Sequence, residues 1–205
     1  MCCQYVNVYV LFREKNIKMR KLSTTRFELT LMTLEEKALL FELDQDPAVM
    51  EFINGGKPTS MVDIEEKFIP RLACYINPDK GWGLWKVVGK DCIENQGNSL
   101  AGVFLGWILV RPMGFFTDSP RFDDIELGWR FKQVSWGKGV ATEAASAVVN
   151  YLTTQDQVNS VSAIAVEENL GSIKVMKKLG MTFVKKAPEP EGHTDTEVVF
   201  YQRAL

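Results

Sequence analysis

Two glycines flank a lysine, Gly137-Lys138-Gly139, between a stretch of strand character beginning at Glu126 and the run Val140-Ala-Thr-Glu-Ala-Ala145, which has helical character. Glycines in such a loop let the backbone approach a ligand closely. The N–H groups of Gly139 to Thr142, opening a helix, lack partners within it and lie at the positive end of its dipole. That combination makes a seat for an anion such as a pyrophosphate, although the same residues serve a tight turn equally well. The spacing fits neither G-x-x-x-x-G-K-[ST] nor G-x-G-x-x-G, so neither a P-loop nucleotidase nor a Rossmann dehydrogenase is indicated.

Other reactive types are sparse. His193 is the only histidine, it sits in a Gly- and Pro-containing loop, and no G-x-S-x-G elbow accompanies it, which argues against a Ser-His-Asp hydrolase. The four cysteines, Cys2, Cys3, Cys74 and Cys92, form no C-x-x-C pair, so neither a zinc site nor a disulfide framework is expected. A reducing cytoplasm is the default compartment.

The elements that position the Gly-Lys-Gly loop are legible from periodicity. Alternation of Phe27, Leu29 and Leu31 with polar neighbours reads as a strand over 25–32. Thr33 and Glu36 form a capping box ahead of a helix that reaches Asp46-Pro47. Residues 47–60 are turn-rich, and 61–75 suit a helix that Pro70 should end or kink. Strands over 83–88 and 99–110, separated by a hairpin signal at 90–98, precede a third over 124–131, giving a three-strand meander. Val140, Ala144, Val148 and Tyr151 then repeat at helical spacing, with small residues that allow close approach to a sheet. A buried strand over 161–166, a helix carrying Ile173, Met176 and Leu179 up to Gly180, and strands over 181–186 and 197–202 complete the order. Trp82, Trp85 and Trp107 lie in apolar strand patterns and are expected in the core.

At 205 residues the chain suits one domain of roughly 150 residues with an extension. Hydrophobic residues make up 46% and charged residues 24%, enough apolar side chain for a core and against a mainly disordered chain. The mean hydropathy is −0.08, the formal charge −2 and the pI near 5.6, so no DNA backbone or anionic membrane is favoured as partner. Residues 1–22 differ from the body, with five Lys/Arg against one Glu. We expect a basic extension over 1–22, ahead of a domain over 23–205. Adjacent Cys2 and Cys3 allow a lipidation reading beside that of an extension without function, and Met19 offers an alternative start. The early apolar stretch falls short of the roughly 20 residues needed to span a bilayer, and its basic residues follow it, unlike a signal peptide.

Three separated pieces carry a resemblance to the GNAT superfamily of acyl-coenzyme A dependent N-acetyltransferases, most nearly its RimJ/RimL-like, ribosomal-protein-alanine acetyltransferase branch. They are Thr25-Arg-Phe-Glu-Leu29 with Leu34-Glu-Glu and Asp46-Pro-Ala-Val-Met50; Glu126-Leu-Gly-Trp129 through Trp136-Gly-Lys-Gly-Val-Ala-Thr-Glu-Ala144; and Glu168-Asn-Leu-Gly-Ser172 through Lys178-Leu-Gly-Met-Thr-Phe183. The resemblance spans roughly residues 23–203. It implies an α/β fold with a mixed, mostly antiparallel, splayed sheet of about six or seven strands flanked by about four helices. It also implies acetyl-CoA as cofactor, held by Trp136, Gly137, Lys138, Gly139, Val140, Ala141 and Thr142. The strand at Trp129, Arg130 and Phe131 would bulge and splay to pair with the pantetheine arm, and Asn169 would contact the cofactor from the other side. Trp136 stands where many members carry Gln or Arg, and Lys132-Gln133 departs from a frequent proline.

Acetyl transfer to an amine needs a base, an oxyanion donor and an acid. Glu126, ahead of the implied acetyl site, is the candidate base, acting through water; a structural ion pair is its alternative, and Asp123, Asp124 and Glu143 compete with it. The tyrosine acid of many members is replaced by Met176, and the branch resembled implies Ser172 as acid or thiolate partner, against a helix-capping role. Phe115 and Phe116 suit either an acceptor pocket or the core. With no cysteine or serine nucleophile beside a histidine, direct transfer in a ternary complex is expected rather than an acyl-enzyme. The acceptor is an amine on a protein N-terminus or a small molecule, and monomer and homodimer both stay open. A non-catalytic acyl-CoA-binding or regulatory module is the rival reading, and a ribosome- or RNA-binding adaptor acting through the basic tail is a third.

Overall fold

The computed structural model describes residues 20–90, 94–95, 98–191 and 196–205; Cys2, Cys3, Cys92, His193 and most of the basic extension lie outside them. One eight-stranded mixed sheet organises the chain. Its strands are β1 (Lys21–Ser23), β2 (Phe27–Leu31), β3 (Gly83–Gly89), β6 (Phe104–Met113), β7 (Arg121–Phe131), β8 (Ser160–Ala165), β9 (Thr182–Pro188) and β10 (Glu197–Ala204). They run in the order β1-β2-β3-β6-β7-β8-β10-β9. A separate two-strand ribbon, β4 (Glu94–Asn95) with β5 (Asn98–Ser99), occupies the expected hairpin. Neighbours in the main sheet are antiparallel except β7 and β8, which are parallel.

Among the described residues, five helices, besides two short 3-10 turns, cover the two faces. They are α1 (Lys37–Leu43), α2 (Pro47–Asn54), α3 (residues 61–75), α4 (Val140–Leu152) and α5 (Leu170–Lys178). Helix α4 makes the crossover that a parallel β7–β8 pair requires. Its buried Val140, Ala144, Ala145 and Val148 meet Leu127, Phe131 and Val161 of the sheet, and the two alanines admit the close approach expected from sequence. Burying each of the two valines contributes about 1.5–3 kcal/mol. On the opposite face, Leu40 of α1 and Ile64, Leu72 and Tyr75 of α3 pack with Leu84 of β3. Trp82 and Trp85 lie in the core, while Trp107 is only partly buried.

Three differences from the sequence expectation have local causes. Strand β1 adds an edge to the sheet through backbone pairing of Lys21 with Thr30, and it straddles the expected boundary at residue 22. The turn-rich segment contains a helix: the Asp46 carboxylate accepts from the Ala48 N–H at 3.0 Å, Pro47 occupies the first turn, and Gly55 closes the helix at φ 74°. An N-cap acid followed by proline is a start signal available in the sequence. Pro70 does not end α3. The helix takes a π-helical stretch, Ile64–Phe68, just before the segment Ile69–Tyr75 whose first turn holds the proline, so the missing N–H falls where the ladder is already reset. Among the described residues no helix is long and apolar enough to cross a membrane.

Candidate active site

Strands β7 and β8 pair over three positions only, Asp124 with Ser160, Ile125 with Val161 and Glu126 with Ser162. Beyond Glu126 the two diverge, and the edge of β7 from Leu127 to Phe131 loses its neighbour. The register of β7 against β6 is unbroken from Ile125 to Phe131, so the bulge expected at Trp129–Phe131 is not there. The irregularities lie elsewhere: β7 carries extra residues between Ile125 and Arg121, and β6 shifts against β3 next to Gly106. The splay arises because β8 is parallel and its chain turns away into α5, not because β7 kinks. Gly106 is obligatory behind the open edge, since a Cβ there would stand 2.2 Å from the Arg130 carbonyl oxygen and 2.7 Å from Phe131 Cα.

A cleft of ≈ 530 Å³ fills the fork between β7, α2, α4 and α5. Of the predicted cofactor residues, Trp129, Arg130, Phe131, Trp136, Gly137, Gly139, Val140, Ala141, Thr142 and Asn169 line it, as does Ser172. Lys138 is exposed beside it and Glu126 lies at the fork's closed end; neither lines the cleft. Gly137 and Gly139 have φ of 71° and 73°, the left-handed region that favours glycine. A Cβ on Gly137 would meet nothing within 4 Å, so open space stands above that peptide. The first bond inside α4 runs from the Glu143 N–H to the Gly139 carbonyl at 3.0 Å, which leaves the N–H groups of the first turn directed at the cleft mouth.

The loop is anchored from behind. Arg26 donates from Nε to Glu143 Oε2 at 2.7 Å and from Nη1 to the Lys138 carbonyl at 3.0 Å. Burial raises the Glu143 carboxyl, but hydrogen bonds from Thr24 and Arg26 outweigh it and hold the group below its ordinary range. Trp136 is 48% exposed, and its indole N–H donates to the Phe131 carbonyl at 2.8 Å, tying the loop to the end of β7.

Alternation along β7 divides its roles. Leu127 and Phe131 face α4 and α5, with Trp129 packed beside them. The Trp129 indole N–H donates to Ser172 Oγ at 3.2 Å, joining β7 to α5 across the fork. The side chain that caps α5 is that of Asn169, whose Oδ1 accepts from the Ser172 N–H at 3.0 Å. Glu126 and Arg130 point to the other face. Arg130 forms a buried ion pair with Asp44 and stacks on Trp107, its cross-strand partner, at 5.1 Å. Its side chain is therefore committed to α1, leaving its backbone at the cleft. Asp44 was not anticipated from the sequence.

Glu126 is buried and accepts from its cross-strand partner Arg111, Nε to Oε2 at 2.9 Å. Burial pushes its carboxyl above the ordinary glutamate range; Arg111 opposes that, and Glu191 and Glu189 add to it. The competing acids are otherwise engaged. Asp124 accepts from Ser160, Ser162 and Gln202 and pairs with Arg121, and Asp123 accepts from Asn159. Among the described residues no group of three or more His, Cys, Asp or Glu is arranged to hold a metal ion.

A forked sheet with glycine-bearing amides at its mouth and an apolar cleft along an unpaired strand edge fits a pyrophosphate carrying a long amide-containing arm, the shape of coenzyme A. Such a fork is the arrangement that an acyl-CoA-utilising transferase needs. Residues 26–182 match the family model described as Acetyltransferase (GNAT) domain, and the chain belongs to that family. It carries an acetyl-CoA-dependent N-acetyltransferase domain. It is 28% identical over 167 residues to FsC-acetyl coenzyme A-N(2)-transacetylase of Aspergillus fumigatus, the match covering 80% of this chain and 66% of that protein. In fold it is similar to the RimL ribosomal L7/L12 alpha-N-protein acetyltransferase in complex with coenzyme A. That superposition has a TM-score of 0.66 at 12% identity and covers 91% of this chain and 98% of the other. The aminoglycoside acetyltransferase AAC(6')-Ib in complex with coenzyme A gives a TM-score of 0.65 at 17% identity, covering 87% and 94%.

Proposed function

We propose that the domain transfers an acetyl group from acetyl-CoA directly to a primary amine, carried by a small molecule or a protein N-terminus, within one ternary complex. The observation that carries this reading is the position of Glu126, a buried carboxylate of raised pKa at the closed end of the fork whose mouth holds the Gly137 and Gly139 loop. Acetyl-CoA, when bound, supplies the acetyl group as an activated thioester.

The chain's own residues divide the remaining work. Amides from Gly137 to Thr142 would hold the pyrophosphate, and the open edge of β7 would pair with the arm. Val49 and Phe52 of α2 and Trp129 exclude water from the cleft. The amine enters from the sheet face carrying Glu126, which removes a proton from it through a water molecule. Ser172 accepts from Trp129, and its own hydroxyl proton would be the one supplied to the departing sulfur. Orientation in the fork carries a large part of the rate.

The test is calorimetry of acetyl-CoA binding to the wild type and to Gly139→Trp, followed by thiol release over a panel of amines and peptide N-termini. Binding lost on substitution, with thiol release by the wild type, supports the proposal. Binding without thiol release from any amine points instead to a non-catalytic acyl-CoA module.

A further inference from the structure

On the Glu126 face of the sheet, two guanidinium groups from distant parts of the chain converge on one carboxylate. Arg71 of α3 donates from Nη2 to Glu191 Oε2 at 2.7 Å. Arg111 of β6 reaches the same oxygen from Nη1 at 3.3 Å and lies 3.0 Å from Oε1. Glu191 belongs to the connection between β9 and β10, yet its side chain is only 2% exposed. Surface connections seldom bury an acid so completely, because desolvating a charge is costly unless it is paired.

Aromatic side chains surround the pair. Arg71 stacks on the Phe116 ring at 3.9 Å, and Tyr75, Phe115 and Phe116 form a cluster of edge-to-face rings. Arg111 also bonds Glu126 at 2.9 Å, so one guanidinium spans the candidate base and the Glu191 carboxylate. A planar guanidinium fork is suited to holding carboxylates in a fixed orientation.

We propose that Arg71 and Arg111 form the carboxylate-binding site for the amine acceptor, and that Glu191 fills it as an internal stand-in until the acceptor displaces it. The proposal rests on the amine-acetylation reading above. An acceptor carboxylate in place of that of Glu191 lies one guanidinium width from Glu126. The amine to be deprotonated therefore stands a few bonds from the carboxylate, as in an α-amino acid. The aromatic cluster adds preference for an apolar or aromatic side chain. Protein N-termini without an acidic group nearby lack the anion this site holds.

The test uses the full chain saturated with coenzyme A and measures calorimetric binding of L-phenylalanine and L-phenylalaninamide to wild type, Glu191→Gln and Arg71→Met. Losing a hydrogen bond to a charged group changes affinity by roughly tenfold or more. Glu191→Gln should therefore tighten phenylalanine by about tenfold relative to the amide, and Arg71→Met should weaken that same ratio by about tenfold. Unchanged ratios, within about twofold, in both variants overturn the proposal and leave Glu191 as a structural latch. Melting temperatures near that of the wild type establish folding, and Arg71→Lys replaces Arg71→Met if the latter unfolds. Thiol release from acetyl-CoA, assayed in the same preparations, tests the acetylation reading separately: binding ratios that shift without thiol release sustain the carboxylate site and overturn the transfer chemistry.

Discussion

The Trp129 indole N–H donates to the Ser172 hydroxyl at 3.2 Å, so the only side-chain hydrogen bond among the described residues linking β7 to α5 ends on the proposed acid. If Ser172 protonates the departing sulfur, Ser172→Ala should lower kcat by about a hundredfold while leaving acetyl-CoA affinity within a few-fold of wild type. Trp129→Phe keeps the ring and removes the N–H, and should cost less than about tenfold in either quantity. Steady-state thiol release and calorimetry distinguish these effects. An unchanged kcat in Ser172→Ala removes the assignment.

Glu126 should govern the acid limb of the pH profile. Its carboxyl is raised by burial, so the active carboxylate is lost as pH falls through a midpoint above the ordinary value of 4.5. The kcat/KM of wild type rises with pH through that midpoint, and in Glu126→Gln the limb disappears along with about 10²–10⁴ of the rate. The stability effect has the opposite sign. A carboxyl whose folded pKa is raised resists ionisation, so its contribution is present below the unfolded value and is lost as pH rises through the folded one. Denaturation curves of Glu126→Gln should accordingly fall off less toward neutral pH than those of wild type.

The proposed cofactor loop predicts a backbone effect free of steric clash. Gly137→Val places a side chain into open space, since nothing lies within 4 Å of its Cβ, but forces a branched residue to φ 71°. Left-handed backbone costs a non-glycine residue about 1–2 kcal/mol, and acetyl-CoA affinity should fall by roughly tenfold as the loop relaxes away from this geometry. Calorimetric Kd values test this, with an unchanged Kd excluding Gly137 from the binding loop.

The buried Asp44–Arg130 pair fixes α1 against the proposed pantetheine edge of β7. Removing one partner leaves an uncompensated buried charge, so Asp44→Ala should destabilise by about 3–5 kcal/mol. The double change Asp44→Leu with Arg130→Met should recover most of that loss. Urea denaturation of the single and double variants measures the coupling.

The Arg26 clamp predicts a dependence on acid. Glu143 is held below its ordinary carboxyl range by hydrogen bonds from Thr24 and Arg26 that outweigh its burial, so its contribution is present above the unfolded value and lost as pH falls through the folded one. Arg26→Met should reduce that low-pH sensitivity, since the Thr24 hydrogen bond and the backbone N–H of residue 26 remain, and weaken acetyl-CoA binding by a few-fold, because the Lys138 carbonyl loses its tether. Calorimetry at two pH values checks both effects.

What the sequence determined by itself was the succession of elements and the loop at the centre of the site. Alternation at Phe27, Leu29 and Leu31, the helical spacing of Val140, Ala144 and Val148, and the Gly137-Lys138-Gly139 entry are local patterns, written within about ten residues. The helix Pro47–Asn54 was also written locally, in Asp46-Pro47, but the glycines and proline that follow it drew the whole segment into a turn-rich reading. The edge strand Lys21–Ser23 carries too few residues for a period to register. The tertiary structure alone decided the partners of the buried charges. Glu191 reaches Arg71 across 120 positions and Arg111 across 80, and Arg130 reaches Asp44 across 86. Such pairs leave no periodic trace, because what selects them is the cost of burying an unpaired charge, and that cost exists only once the sheet has brought distant segments together.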